Sequence, residues 1–114
     1  MDTKKVQARQ GDIFFRVVDG PSADALKANK RHGSQVLANG EVTGHTHAIC
    51  TPAISDCETC VDPKGDIFIR SQEEIVVDHD EHGTVTMPAN EWICISRQRE
   101  YDPLAAEKER QVAD

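Results

Sequence analysis

The chain has 114 residues and a formal net charge of −7 at neutral pH. That length suits one domain with a single core, and the acidic balance excludes a general nucleic-acid binder, which needs basic side chains to displace counterions from phosphate. With 38 % hydrophobic and 4 % aromatic residues the core is expected to be small, so a bound metal or self-association would add stability.

Charge is unevenly spread. Residues 1–44 hold seven Lys/Arg against five Asp/Glu, and residues 45–114 hold six against fifteen. This asymmetry allows head-to-tail homo-oligomeric association or a basic partner, and a solvated acidic surface is its commoner meaning. No run approaches the ~20 apolar residues that cross a bilayer. Residues 1–10 lack the apolar centre of a signal peptide, and the segment is read as a flexible N-terminus. A cytoplasmic protein without a membrane partner is expected, in which the four cysteines are thiols or metal ligands rather than disulfides.

The first element, Gly11 to Val18, has branched and aromatic residues on both faces and reads as a strand that ends at Asp19-Gly20-Pro21. Ser22 then caps one or two helical turns through Ala28. A basic loop follows, in which His32 is read as a solvated side chain. Gln35 to Ala38 is a short strand, and Asn39-Gly40 is the dipeptide favoured in a type I′ hairpin turn. The second arm of that hairpin, from Glu41 to Cys50, carries His45 and His47.

Residues 51–64 read as a polar loop containing Cys57-Glu58-Thr59-Cys60. One Cys-x-x-Cys lacks the second pair of a zinc ribbon, and no helix follows it as a redox motif requires. A second metal site from Cys57 and Cys60, completed by Cys50, stands as the alternative to a plain loop. Replacing Cys57 and Cys60 with Ser is expected to leave folding intact.

Gly65 to Arg70 then repeats the opening Gly11 to Arg16 in five of six places. The match signals either two similar halves or two strands that begin with the same Gly-Asp turn. Ile75 to His79 is a strand, Asp80 to Gly83 a turn, and Thr84 to Met87 and Glu91 to Arg97 form a hairpin whose bulky last strand should be central. On that strand Trp92, Cys94 and Ser96 share one face, and Ile93, Ile95 and Arg97 the other. From Pro103 onward a short helix is expected. The domain plan is thus a flexible segment 1–10, one β domain at 11–102 and a helical tail at 103–114. Short strands punctuated by Gly, Pro and Asn turns indicate an all-β fold, a small antiparallel barrel or sandwich.

Four of the five histidines fall in two pairs, His45 with His47 and His79 with His82. Side chains at i and i+2 of a strand point to one face, and paired neutral imidazoles suit zinc foremost, with iron or nickel as alternatives. An antiparallel sheet can set His45 and His47 opposite the turn that holds His79 and His82. Asp78, Asp80 and Glu81 are the expected acceptors for the outer ring nitrogens, and Glu81 is the candidate acid or base.

His45-x-His47 after a glycine, with Gly83 to Asn90 on a late hairpin, resembles the cupin pattern, which implies a β-barrel with metal ligands inside. The chain departs from it in several places. Gly40 stands one residue closer to His45 than the pattern asks, and Gly83 one residue closer to Pro88. Asn90 replaces a glycine, and the later Glu and His are missing. The chain also resembles small uncharacterised bacterial proteins carrying Gly-Glu-Val-Thr-Gly-His-x-His, His-x-Glu-His and Arg-Gln-Arg-Glu-Tyr, here residues 40–47, 79–82 and 97–101. That resemblance implies no established activity. Two classes therefore stand side by side: a metal-binding protein, catalytic if one coordination position stays open, and a non-catalytic assembly or binding subunit.

Overall fold

The computed structural model describes residues 7–39, 46–79 and 82–97. Their backbone forms nine strands, one short α-helix and one 3-10 turn. In chain order these are β1 (Gln7–Gln10), β2 (Ile13–Val18), α1 (Ala23–Ala28), β3 (Val36–Asn39), β4 (Thr46–Thr51), the 3-10 turn Ile54–Asp56, β5 (Glu58–Val61), β6 (Ile67–Arg70), β7 (Ile75–His79), β8 (Gly83–Met87) and β9 (Trp92–Arg97). The all-β expectation holds. All named strand pairs are antiparallel, in a five-stranded sheet β1-β2-β9-β6-β5 and a four-stranded sheet β3-β4-β7-β8. The two sheets are separate hydrogen-bonded units and do not close into a barrel. The expected C-terminal helix lies outside the described residues.

Alternation within the strands builds the core. Ile13 and Phe15 of β2, Ile67 and Ile69 of β6, and Ile93 and Ile95 of β9 point inward from one sheet. Leu37, Ile49, Ile75, Val77, Val85 and Met87 meet them from the other. All are buried, as in an aligned sandwich where two inner faces interdigitate. Each such side chain stabilises the fold by roughly 1.5–3 kcal/mol relative to exposure.

The outer face of the five-stranded sheet holds a second, smaller cluster. Ala25 of α1 is wholly buried against Phe68 and Cys94, with Val18, Cys60 and Trp92 around them. Ser22 caps this helix, its Oγ accepting from the Ala25 amide at 3.1 Å. Asn29 ends it in the left-handed conformation at φ 50°, which Asn tolerates better than most residues.

Strand β9 is central, between β2 and β6, and its two faces split as its sequence predicts. Ile93 and Ile95 enter the main core while Trp92 and Cys94 face the outer cluster. The repeated Gly-Asp-Ile-Phe segments become β2 and β6, the two neighbours of β9 in one sheet. Gly11 and Gly65 both adopt positive φ, 64° and 99°, which glycine reaches without a Cβ penalty. Both copies therefore enter their strands through a positive-φ glycine.

Three local readings differ from the structure. Residues 7–10 already form β1, so the β domain starts before Gly11. Asn39 pairs with Thr46, so the hairpin does not reverse at Asn39-Gly40, and the rest of that segment lies outside the described residues. A dipeptide signal is local, and the register of the flanking strands overrules it. Residues 51–64 are not a plain polar loop either, because Thr59, Cys60 and Val61 pair with Ile69, Phe68 and Ile67.

Candidate functional site

At one end of the sandwich the inward-facing positions turn from apolar to polar. Along β7 the inward series runs Ile75, Val77, His79, and along β4 it runs Ile49, His47. Gln10 ends β1 on the same side. His47 and Gln10 are almost inaccessible, at 1 % and 0 % exposure, and His79 is also buried. Ala48 pairs with Asp78 across β4 and β7, so the antiparallel register sets His47 beside His79. Their ring centroids are 4.3 Å apart, and the His79 ring lies 4.6 Å from that of His82. Three imidazoles thus form one continuous cluster.

Gln10 fixes the orientation of the first ring. Its amide nitrogen donates to the carbonyls of Val77 at 3.0 Å and Gly83 at 2.6 Å. The amide oxygen therefore faces His47 Nδ1, 2.8 Å away, and that ring nitrogen must carry the proton it donates. In the neutral imidazole, Nε2 then holds the lone pair. It points toward the Asp12 carboxylate, 4.0 Å distant. Burial first, then the neighbouring His79, lowers the His47 pKa to about 4. His82 and Arg97 act in the same direction, and Asp12 opposes them. The ring is neutral at pH 7.

The Gly11-Asp12 turn between β1 and β2 forms the floor. A Cβ at Gly11 would lie 2.8 Å from His82 Cδ2 and 3.0 Å from Nε2, so the absent side chain is the space the His82 ring occupies. Asp12 is 42 % exposed in its side chain and stands 3.7 Å from Arg97 Nη1. The His82 amide donates to His79 Nδ1 at 3.2 Å, which ties the turn back to the strand.

The structure therefore brings together His47, His79 and His82 of the expected set. His45 and Glu81 lie outside the described residues, as does Asp80. Asp78 does not serve as an acceptor for the cluster: it sits on the exposed face of β7 and accepts from Thr84 Oγ1 at 2.9 Å. Gln10 takes the acceptor role instead, and Gln10, Gly11, Asp12 and Arg97 were not singled out as site residues from sequence. The available signal was inverted alternation, a polar residue at an inward position of a strand. Among the described residues, no three His, Cys, Asp or Glu side chains already stand around a common point as metal ligands do.

The cysteines behave differently. Cys57 belongs to the main core, its Sγ 3.5 Å from the Ala53 carbonyl, and burial raises its pKa. Cys60 packs with the outer cluster on the other side of the sheet, and Cys50 is exposed. The expected Cys50, Cys57, Cys60 site is not assembled, because the two thiols of the Cys-x-x-Cys fall on opposite faces. The burial of Cys57 means that replacing it with Ser lowers stability rather than leaving it untouched. His32, expected to be solvated, is half-buried: its Nε2 lies 3.0 Å from the Val36 carbonyl, and its amide donates to Thr59 Oγ1 at 2.9 Å.

The profile of a family described as a domain of unknown function (DUF8820) matches residues 9–98, and the chain belongs to that family. The matched span contains every described residue of the histidine cluster. No protein of curated function and no solved structure matches the chain significantly.

Proposed function

We propose that this member of the DUF8820 family binds one divalent transition metal, zinc foremost, at the histidine end of its β-sandwich. The ligands are drawn from His47, His79 and His82, with Asp12 as an oxygen donor and His45 as the fourth imidazole of the motif. The observation that carries the reading is the hydrogen bond from His47 Nδ1 to Gln10 Oε1. A metal-binding imidazole typically donates its outer N–H to an oxygen, which fixes the ring and leaves the other nitrogen available. Here that arrangement exists within a cluster of three imidazoles and beside a carboxylate, a donor set suited to zinc or iron.

Binding turns the rings. His82 lies on the turn before β8, is exposed, and rests its ring over Gly11. His79 must release its Nδ1 from the His82 amide or bind through its other nitrogen. An open coordination position would admit water, and Glu81 is then the candidate acid or base. Titration of chelator-treated protein with cobalt(II) tests the site through the absorption bands of a tetrahedral nitrogen-rich complex. His47→Ala and His82→Ala should each abolish those bands. Equal spectra for wild type and both variants would exclude this cluster as the site.

A second reading has its own observation. Gln10 joins the five-stranded sheet to Val77, Gly83 and His47 of the other, with all three bonds made. The cluster is then a polar clasp that closes the sandwich of a non-catalytic assembly or binding subunit. In that case the two histidine substitutions lower stability but do not change any metal content.

A further inference from the structure

A cleft of about 520 Å³ opens where Val18 of β2 pairs with Trp92 of β9. Ile13 pairs with Arg97 at the other end of these two strands, so the length of β2 separates the cleft from the histidine cluster. Its volume falls within the roughly 300–1,000 Å³ of small-molecule sites. Trp92 is the one tryptophan of the chain and is half-buried. Part of its indole packs against the outer cluster, and the rest lines the cleft. Val17 and Val18 line it too and are likewise only half-buried. Apolar surface therefore remains accessible to a ligand.

Three polar side chains share this lining, Asp19, Asn90 and Glu91. Among the described residues none of the three side chains has a hydrogen-bond or ionic partner. Asn90 stands at φ 61°, and its amide donates to the Ser71 carbonyl at 2.7 Å, which fixes the turn that carries it. Arg70 also lines the cleft, but it is engaged. Its Nε lies 3.2 Å from Glu58 Oε1, and its guanidinium 5.7 Å from the centre of the Trp92 ring.

This lining discriminates by charge. An anion would meet Asp19 and Glu91, which no neighbouring cation neutralises. A cation would find those carboxylates but would meet Arg70 over the indole. A purely apolar molecule would cover three polar side chains and give them no partner. A neutral polyol satisfies every group. Its hydroxyls donate to the carboxylates, Asn90 both donates and accepts, and a ring face of C–H bonds lies on the electron-rich indole. From this combination we infer that the cleft binds a neutral carbohydrate, a mono- or disaccharide, with one sugar ring against Trp92 and hydroxyls on Asp19, Asn90 and Glu91. The inference is independent of the metal reading, because no histidine lines the cleft.

With a single tryptophan, indole fluorescence reports on this site alone. The test titrates the full chain with glucose, galactose, mannose, N-acetylglucosamine, maltose, cellobiose, lactose and chitobiose. The amino sugar and the uronic acid of the best-binding hexose serve as charged comparisons. At least one neutral sugar should shift the emission and saturate with a Kd at or below about 1 mM. Both charged analogues should bind at least tenfold more weakly. Asp19→Ala and Glu91→Ala should each weaken the sugar about tenfold, as the loss of a hydrogen bond to a charged group implies. Trp92→Leu, followed by calorimetry, should abolish binding, with circular dichroism confirming that each variant folds. No response to any sugar of the set would overturn the inference. So would a charged analogue that binds as tightly as the neutral sugar, or unchanged affinity in folded Asp19→Ala and Glu91→Ala.

Discussion

Two sets of side chains of metal-ligand type, the histidines and the Cys-x-x-Cys pair, are treated by the fold in opposite ways. His47 and His79 stand on neighbouring antiparallel strands of one sheet and both point inward, so register brings their rings to 4.3 Å. Cys57 and Cys60 are closer in sequence, yet the first enters the inter-sheet core and the second the outer cluster. Along extended backbone, proximity in sequence means little unless the facing parity also agrees. Parity keeps the histidines together and separates the cysteines.

The largest effect should come from Gln10→Ala. It strips buried partners from the His47 ring and the Val77 carbonyl, each worth about 1–3 kcal/mol when left unpaired, and a half-buried one from the Gly83 carbonyl. A loss of about 4 kcal/mol in urea unfolding is expected, and a loss under 1 kcal/mol would show that the histidine end is solvated and not a clasp. Next in size is a pH effect from His47. Its folded pKa of about 4 lies below the ordinary 6.5, so as pH falls the unfolded chain takes up the proton first. The neutral-ring contribution is complete above pH 6.5, is lost progressively down to about pH 4, and changes no further below that. The total is on the order of 3 kcal/mol. His47→Gln should flatten this part of the stability profile relative to wild type.

Gly11→Ala should cost about 1–2 kcal/mol, from positive φ and the contact with the His82 ring. Unchanged stability and unchanged metal affinity would mean that His82 does not rest on the Gly11 backbone. Cys57→Ser should cost about 1–2 kcal/mol by placing a hydroxyl in an apolar core, whereas Cys50→Ser, on the surface, should stay within about 0.5 kcal/mol. Thermal unfolding of the two variants side by side checks the order. The reverse order would dissolve the contrast between buried and exposed thiols.

Much of this fold is legible in the sequence. The period-two alternation of Ile13 with Phe15, Ile75 with Val77 and Ile93 with Ile95 specifies strands and their inward faces, and Ser22 announces α1. The central place of β9 follows from the bulk on both its faces. The histidine cluster is legible in part, because two pairs in one small chain invite a common site. Gln10 and Asp12 are not, since their roles depend on β1 and β2 folding against a sheet made from residues far along the chain. Position 39 teaches the same lesson at a turn: Asn39-Gly40 is a strong local signal, and the pairing of Asn39 with Thr46 keeps the chain from reversing there. The cysteine pair misleads because Cys-x-x-Cys spacing is usually read on a loop or a helix end, and here Cys60 lies in β5.

The central claim, that metal belongs to the histidine end and not to the cysteines, is tested most directly by elemental analysis of protein loaded with zinc and then desalted. The account predicts about one zinc per chain in wild type and in the Cys57→Ser, Cys60→Ser double variant, and essentially none in His47→Ala or His82→Ala. Wild type that retains no zinc, or a cysteine variant that loses it while the histidine variants keep it, would contradict the account.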